Sequence, residues 1–230
     1  IAIILSSSFG LYTWMNNPES QMVAVTVRAG SKAEMALPDG TFVHLNAATN
    51  LEYDVNNSKQ RLVKLSGEAF FDVAKNPDCP FKVIINDLQI EVVGTSFNVK
   101  TYKKDIVETS LLSGRIRISG GSLPHEYTLS PGQKATYSAM DRTLRISKAD
   151  AHVEAGWRDN YLIFESTPLI DVIAQIERWY GVEIRLHHKQ IAQDLLSGSF
   201  RNESIQNVIR SLSIQYGFKY EIHKDIITIY

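Results

Sequence analysis

The chain of 230 residues contains only one cysteine, Cys79. A single cysteine excludes an intramolecular disulfide framework and any zinc site built from several cysteines. The chain also lacks an excess of charge of either sign, since 24 Lys and Arg residues stand against 25 Asp and Glu residues. A nucleic-acid-binding protein needs a basic face that releases counterions from phosphates, so the balanced charge argues against that class.

Charged side chains are absent from residues 1–15, and the first basic residue after them is Arg28. A membrane-spanning helix needs about 20 apolar residues, so this run has the length of the outer part of a span. Tyr12 and Trp14 near its end are typical of aromatic residues at a membrane interface. We expect residues 1–17 to be the C-terminal part of a transmembrane span with its juxtamembrane segment. A buried strand or helix, or the apolar region of a signal peptide, is the alternative.

Between residues 23 and 148 apolar and polar residues alternate at period two, as in TFVHLN (41–46) and RLVKL (61–65). Turn-forming residues such as Pro38-Asp39-Gly40 separate these runs, and no helical period of useful length interrupts them. The pattern predicts an all-β domain over residues 18–150. A sandwich, a jelly roll and a solenoid-like fold all remain open.

The pattern changes near Trp157. Residues 149–160 lose the strand alternation and predict an interdomain connection, in which Trp157 should be largely buried. Residues 169–180 then follow a helical spacing of apolar side chains, which Thr167-Pro168 is expected to start and Gly181 to end.

This unit recurs, because residues 164–184 align with residues 200–220 at an offset of 36. Phe, Val, Ile, Tyr and Gly recur at equivalent positions. The repeat predicts duplicated βαβ units, closed by a last strand at 226–230, in a small α+β domain over residues 151–230. The fold class expected for the whole chain is therefore α+β.

Catalytic motifs are missing: the sequence has no H-E-x-x-H, C-x-x-C, P-loop or G-x-S-x-G. Glu52 and Asp54 share one face of a predicted strand, which is compatible with a hydrolase carboxylate pair, but a solvated strand face is favoured. We expect Glu68 and Asp72 to be solvated too. Cys79 has no basic neighbour that would stabilise a thiolate. The sequence predicts no enzyme, no metal site and no cofactor.

Five motifs in the β region resemble the successive motifs of the FecR family. They begin at Leu37 (LPDGTFVHLNAATNLEYD), Leu65 (LSGEAFFDVAKNPDCPFKV), Val92 (VVGTSFNVKTY), Leu111 (LLSGRIRI) and Leu129 (LSPGQKATYS). The motif residues suit structural roles in turns, bulges and core. They are Asp39, Gly40, Gly67, Phe70, Phe71, Gly94 and Phe97. The region from Trp157 resembles the secretin and TonB short N-terminal domain.

This resemblance implies a single-span inner-membrane anti-sigma factor, without enzymatic activity. In such a protein a cytoplasmic domain, absent from this chain, binds an extracytoplasmic-function sigma factor. The periplasmic part responds to the periplasmic signalling domain of an outer-membrane TonB-dependent transporter. The chain would then be the periplasmic signal-receiving part, anchored to the inner membrane by its N-terminal span.

We expect the docking surface in the C-terminal domain, because a small sheet leaves edges to which a partner strand can be added. Two edge strands are candidates, the strand Gly217–Glu221 and the closing strand. The closing strand comprises Ile226, Ile227, Thr228, Ile229 and Tyr230. Pairing of the closing strand inside the sheet is the alternative.

A periplasmic or surface carbohydrate-binding β-sandwich module is the alternative function. Exposed aromatic side chains would then bind the sugar, and the candidates are Tyr53, Tyr102, Tyr127 and Tyr137. The sequence leaves open the inducing nutrient, whether an iron chelate or a glycan.

Overall fold

The computed structural model describes residues 21–55, 61–187 and 189–230. The membrane segment expected at residues 1–17 lies outside these ranges. Within them the chain is mostly β with few helices, which is broadly the expected α+β class. None of the helices in this part of the chain is long and apolar enough to cross a membrane.

Within the described residues, the alternating region forms a β domain of fourteen strands. They are β1 Met22–Val27, β2 Ala33–Ala36, β3 Phe42–Leu45, β4 Thr49–Asp54, β5 Arg61–Ser66, β6 Glu68–Asp72, β7 Phe81–Ile85, β8 Leu88–Val92, β9 Ser96–Lys100, β10 Ile106–Ser113, β11 Ile116–Gly120, β12 Tyr127–Leu129, β13 Gln133–Ser138 and β14 Thr143–Lys148.

These strands build two seven-stranded sheets, ordered β1-β4-β5-β7-β8-β11-β12 and β14-β13-β10-β9-β6-β3-β2. All neighbours are antiparallel except the parallel pair β5 and β7. Both sheets send alternate apolar side chains into one shared core. At its centre the Phe71 ring lies 5.2 Å from that of Phe97 and 5.8 Å from that of Phe81.

The connection and the C-terminal domain follow in chain order. Their elements are α1 Ala151–Ala155, a 3₁₀ turn Gly156–Asp159, β15 Tyr161–Pro168, α2 Leu169–Tyr180, β16 Glu183–Leu186, a 3₁₀ turn Lys189–Gln193, β17 Leu195–Arg201, α3 Ile205–Tyr216, β18 Tyr220–His223 and β19 Ile226–Ile229.

The helix ends follow local chemistry with one exception. Gly181 ends α2 in the left-handed conformation, as predicted, and the Ser204 hydroxyl caps α3. The prediction that Thr167 caps α2 is wrong. Thr167 belongs to β15 and its hydroxyl bonds the carbonyl of Glu165, so Pro168 takes the capping position without a side-chain bond.

The two strand–helix–strand segments are distributed over two sheets. Their first strands, β15 and β17, pair with each other, whereas the second strands belong to a sheet ordered β16-β19-β18. Neither segment is therefore a βαβ crossover within one sheet. Apolar side chains of both helices and both sheets share one core, which is separate from the core of the β domain.

The expectation that the closing strand Ile226–Tyr230 forms an edge is wrong. Strand β19 pairs with β16 in parallel and with β18 in antiparallel orientation, so it is central. Edge strands usually carry charges that prevent unwanted pairing. The lack of charge in β19 therefore suits a strand that is covered on both sides.

Candidate functional site

Strand β6 is buried on both faces, and its outer face forms the junction between the two domains. Phe71 points into the β-domain core, whereas Phe70 packs against Ala155 and Trp157. Trp157 is only 6% exposed. Its indole N–H donates to Oδ1 of Asn98 at 3.1 Å, so the connection between the domains is fixed to the β domain.

The prediction that Glu68 is solvated is wrong, because this residue is only 7% exposed. Its two carboxylate oxygens accept hydrogen bonds from the side-chain amides of Asn46 and Asn98, at 2.8 and 2.9 Å. A cavity of about 10 Å³ lies beside it, lined also by Arg178 of α2. That volume is near the lower limit for one water molecule. The packing of the C-terminal domain covers this carboxylate.

Lys32 connects the β domain to both the connection and α2. Its ammonium donates to the Trp157 carbonyl at 2.6 Å and to Oδ1 of Asn160 at 3.0 Å. The same ammonium lies 3.7 Å from the centre of the Trp179 ring, a cation–π contact. Burial lowers the pKa of Lys32 to about 8, although the negative charge of Glu68 opposes this shift.

Arg178 and Tyr102 form the second polar contact of the junction. The guanidinium lies 4.2 Å from the centre of the Tyr102 ring. Burial lowers the pKa of Arg178, and burial followed by the charge of Glu68 raises the pKa of Tyr102. Charged groups held in this way restrict the relative orientation of the domains, since separation would leave Arg178 without its ring partner.

Two glycines bring the backbones of the domains into contact. A Cβ at Gly30 would lie 3.2 Å from the Tyr180 carbonyl oxygen, and one at Gly181 would lie 3.2 Å from the Ala29 carbonyl oxygen. Both glycines have left-handed φ values, +77° and +68°. The N–H of Gly30 also donates to the carbonyl of Arg178 at 2.8 Å. A side chain at either position would therefore be strained, and the facing backbone of the other domain would have to shift to accommodate it.

Asp39 of the first family motif takes part in a buried ion pair. Its Oδ2 accepts from the Arg61 guanidinium at 3.2 Å, and Gly40 completes the adjoining turn through a bond to the Leu37 carbonyl. The guanidinium also bonds three backbone carbonyls of the loop after β6, those of Ala74, Asn76 and Cys79. This arrangement holds the loops around Asp39 and after β6 together.

The remaining motif residues lie in the core or at positions where another backbone segment leaves no room for a side chain. A Cβ at Gly67 would lie 2.5 Å from the Thr49 hydroxyl, and one at Gly94 would lie 2.9 Å from the Cα of Lys75. Phe97 is fully buried beside Phe71. At these positions the motif residues have structural roles in the fold.

The residues of the alternative functions do not form a common site. Glu52 lies 3.8 Å from the ammonium of Lys64 across the strand pair, and Asp54 accepts from the Gln21 N–H. Among the tyrosines proposed for sugar binding, Tyr137 is buried in the β-domain core and Tyr102 lies in the junction. In the described ranges, no three His, Cys, Asp or Glu side chains are placed to hold a metal ion.

Both edges of the three-stranded sheet are protected. On β16 the outward N–H of Ile184 donates to the Glu177 carboxylate at 2.7 Å. Strand β18 has only four residues, and its exposed side chains are Glu221 and His223. Short strands and charged side chains are common protections of sheet edges. The Gly217–Glu221 strand, the second predicted candidate, is therefore an edge with limited access.

Comparison with known proteins identifies both domains. The model of the FecR protein family matches residues 23–117, and the model described as FecR, C-terminal matches residues 161–229. Two crystal structures of a protein of Parabacteroides distasonis ATCC 8503, assigned as an anti-sigma factor, are similar at 30% identity. They cover 90% and 91% of this chain and 98% and 99% of theirs, with TM-scores of 0.81 and 0.82. Among curated protein sequences, none is significantly similar to the chain.

Proposed function

Because the chain belongs to the FecR family of anti-sigma factors, we propose that it is the periplasmic signal-receiving part of a sigma regulator. The sigma-regulator role follows from the family. The finer assignment is that it relays the state of an outer-membrane TonB-dependent transporter to an extracytoplasmic-function sigma factor. A single inner-membrane span at residues 1–17 and a cytoplasmic sigma-binding domain complete this proposal.

The observation that carries the proposal is the alignment of both domains with an anti-sigma factor over almost its whole length. The arrangement of the chain agrees with a receiving role. Its motif residues maintain the fold, and the buried polar groups of the junction hold the domains to each other. A partner that binds one domain would therefore act on a connected body.

The direct test is transcription from a promoter that depends on the sigma factor encoded beside this gene. Cells carrying the full regulator are grown with and without induction, and the readout compares wild type with a deletion of the transporter's periplasmic signalling domain. We expect induction in the wild type and loss of induction in the deletion strain, with unchanged regulator abundance. Induction that survives the deletion would contradict the proposed relay.

A further inference from the structure

The end of the β domain at which the chain enters carries a patch of two exposed cations around an exposed aliphatic residue. The patch comprises Lys75, Val93 and Arg115. We infer that this patch contacts the anionic phospholipid surface of the inner membrane. The inference rests on the span proposed at residues 1–17, and it adds to that proposal an orientation of the β domain relative to the bilayer.

The strands of the β domain run alternately between two ends of the domain. Strand β1 and every second strand after it begin at the same end, because antiparallel neighbours reverse direction and the parallel strands β5 and β7 keep it. Gln21 lies at this end, where its N–H donates to the Asp54 carboxylate and its carbonyl accepts from the Val55 N–H. We call it the entry end. These two bonds fix the position of the residue that precedes β1.

The C-terminal domain packs at the opposite end of the β domain. Its helix α2 contacts the loops that follow β1 and β9. The N–H of Gly30 donates to the Arg178 carbonyl at 2.8 Å, and the Lys103 ammonium lies 2.7 Å from the Asp171 carboxylate. The six residues of β1 extend about 20 Å. The β domain therefore separates the entry end from the C-terminal domain by the length of a strand.

The short connection to the proposed span determines what faces the entry end. An extended chain from residue 17 to Gln21 covers at most about 14 Å, which is less than the length of β1. The loops of the entry end are therefore the part of the β domain closest to the bilayer. The membrane surface is the occupant that this distance assigns to them.

Three adjoining loops of the entry end bring the patch residues together. The Asn76 N–H donates to the Val93 carbonyl at 2.7 Å, which joins the loop after β6 to the loop after β8. The Thr95 hydroxyl donates to the Arg115 carbonyl at 3.1 Å, which joins the loop after β10. Val93 is 39% exposed. Within the described ranges, neither Lys75 nor Arg115 forms an ion pair.

The composition of the patch suits a layer of phospholipid headgroups. Lysine and arginine side chains near a membrane surface are attracted to anionic lipids, and an aliphatic side chain between them can enter the boundary of the acyl chains. The exposed acidic side chain of the same three loops is Asp78. One carboxylate against two cations leaves these loops with a net positive charge.

The test uses the full regulator, reconstituted in vesicles of phosphatidylethanolamine and phosphatidylglycerol that contain a lipid with a nitroxide headgroup. A fluorophore on Pro77→Cys reports on the entry end, and one on Ser211→Cys reports on the C-terminal domain. Both positions are exposed, and both variants carry Cys79→Ser, with any cysteine outside this chain replaced by serine. Because the nitroxide quenches at short range, we expect strong quenching at position 77 and little at position 211.

Reversing both charges, with Lys75→Glu and Arg115→Glu together, tests the patch itself. Each cation near an anionic surface changes membrane partitioning about fivefold, so the ratio of contacting to detached domains should fall more than tenfold. Quenching at position 77 should fall with it. The matched control is Lys104→Glu with Arg142→Glu, which reverses two exposed cations at the opposite end and should leave quenching unchanged.

Thermal unfolding in detergent verifies the folding of each variant. If the double variant does not fold, the wild type in vesicles of phosphatidylcholine alone decides the result, and quenching at position 77 should be lost there too. Equal quenching at positions 77 and 211, or quenching at position 77 that is independent of both charges, overturns the inference and leaves the sigma-regulator role intact.

Failure of the wild type to insert into vesicles would overturn the proposed span and the inference together. Wild-type dimers in detergent that the charge reversal dissociates would assign the patch to a second copy of the chain and overturn the inference.

Discussion

The β domain and the C-terminal domain use their strands differently. In the β domain, two seven-stranded sheets enclose one core. The family motif residues lie in turns, at close contacts between backbone segments and in the Arg61–Asp39 ion pair. In the C-terminal domain, sheets of two and three strands pack with two helices around a second core, and the aliphatic side chains of Ile214 and Leu195 remain exposed. The β domain therefore buries its family motifs in the fold, whereas the C-terminal domain leaves aliphatic side chains on its surface.

The junction explains how two such domains act together. The outer face of β6 is polar at Glu68 and aromatic at Phe70, and the C-terminal domain covers both. Lys32 and Arg178 each lie over an aromatic ring of the other domain. These cation–π contacts, together with the buried bond from Trp157 to Asn98, favour one relative orientation of the domains.

The largest expected effect on stability comes from removing the Arg61 contacts in the β domain. Arg61→Met leaves Asp39 without its buried partner and removes three bonds to the following loop, so unfolding should become easier by about 3–5 kcal/mol. Lys64→Met on the same strand is the control, because its pair with Glu52 is exposed and should contribute about 0–1 kcal/mol. Chemical denaturation measures both. Equal losses for the two variants would show that the Arg61 pair has no special structural role.

A smaller loss of stability is expected from a substitution that disturbs the contact between the domains. Gly181→Ala and Gly217→Ala both place alanine at a left-handed helix end, which costs about 1–2 kcal/mol. Only at Gly181 would the new methyl group press on the other domain, since the space at Gly217 is open. We expect Gly181→Ala to lose more stability and to increase proteolytic cleavage near residues 149–160. Identical behaviour of the two variants would contradict a tight junction.

The smallest effect is a pH dependence at Lys32. Its pKa is lowered from 10.5 to about 8 in the folded chain, so the unfolded chain binds more protons between these values. The free energy of unfolding should therefore rise with pH from about 8. Below that pH, the destabilisation caused by the charged Lys32 ammonium in the folded chain is fully present. Above about pH 10 the raised pKa of Tyr102 opposes this trend, because its phenol loses the proton more readily in the unfolded chain.

The variant Lys32→Met should remove the rise between pH 8 and 10 while leaving the Tyr102 effect. Denaturation midpoints across this range, wild type against variant, give the difference directly. A rise of the same size in Lys32→Met would assign the slope to other groups.

Local patterns in the sequence were sufficient for much of the fold. Alternation predicted strands such as β7 and β8 with the Asn86-Asp87 turn between them, and helical spacing with Gly181 predicted α2. These features depend on neighbouring residues only.

Features set by distant contacts were not predictable in the same way. Glu68 has the charge of a solvated residue, but it is buried by contacts with residues far away in the sequence, from Asn46 and Asn98 in its own domain to α2 of the other. Strand β19 ends the sequence, yet long-range pairing places it in the middle of its sheet. The pairing of β17 with β15 likewise depends on strand order, which alternation does not encode.

The most direct test of which domain binds the partner is hydrogen–deuterium exchange of the full chain, measured with and without the transporter's periplasmic signalling domain. The account predicts new protection in the C-terminal domain, residues 161–229, with exchange in strands β1 to β14 unchanged. Protection centred on the β domain, with the C-terminal domain unaffected, would contradict it.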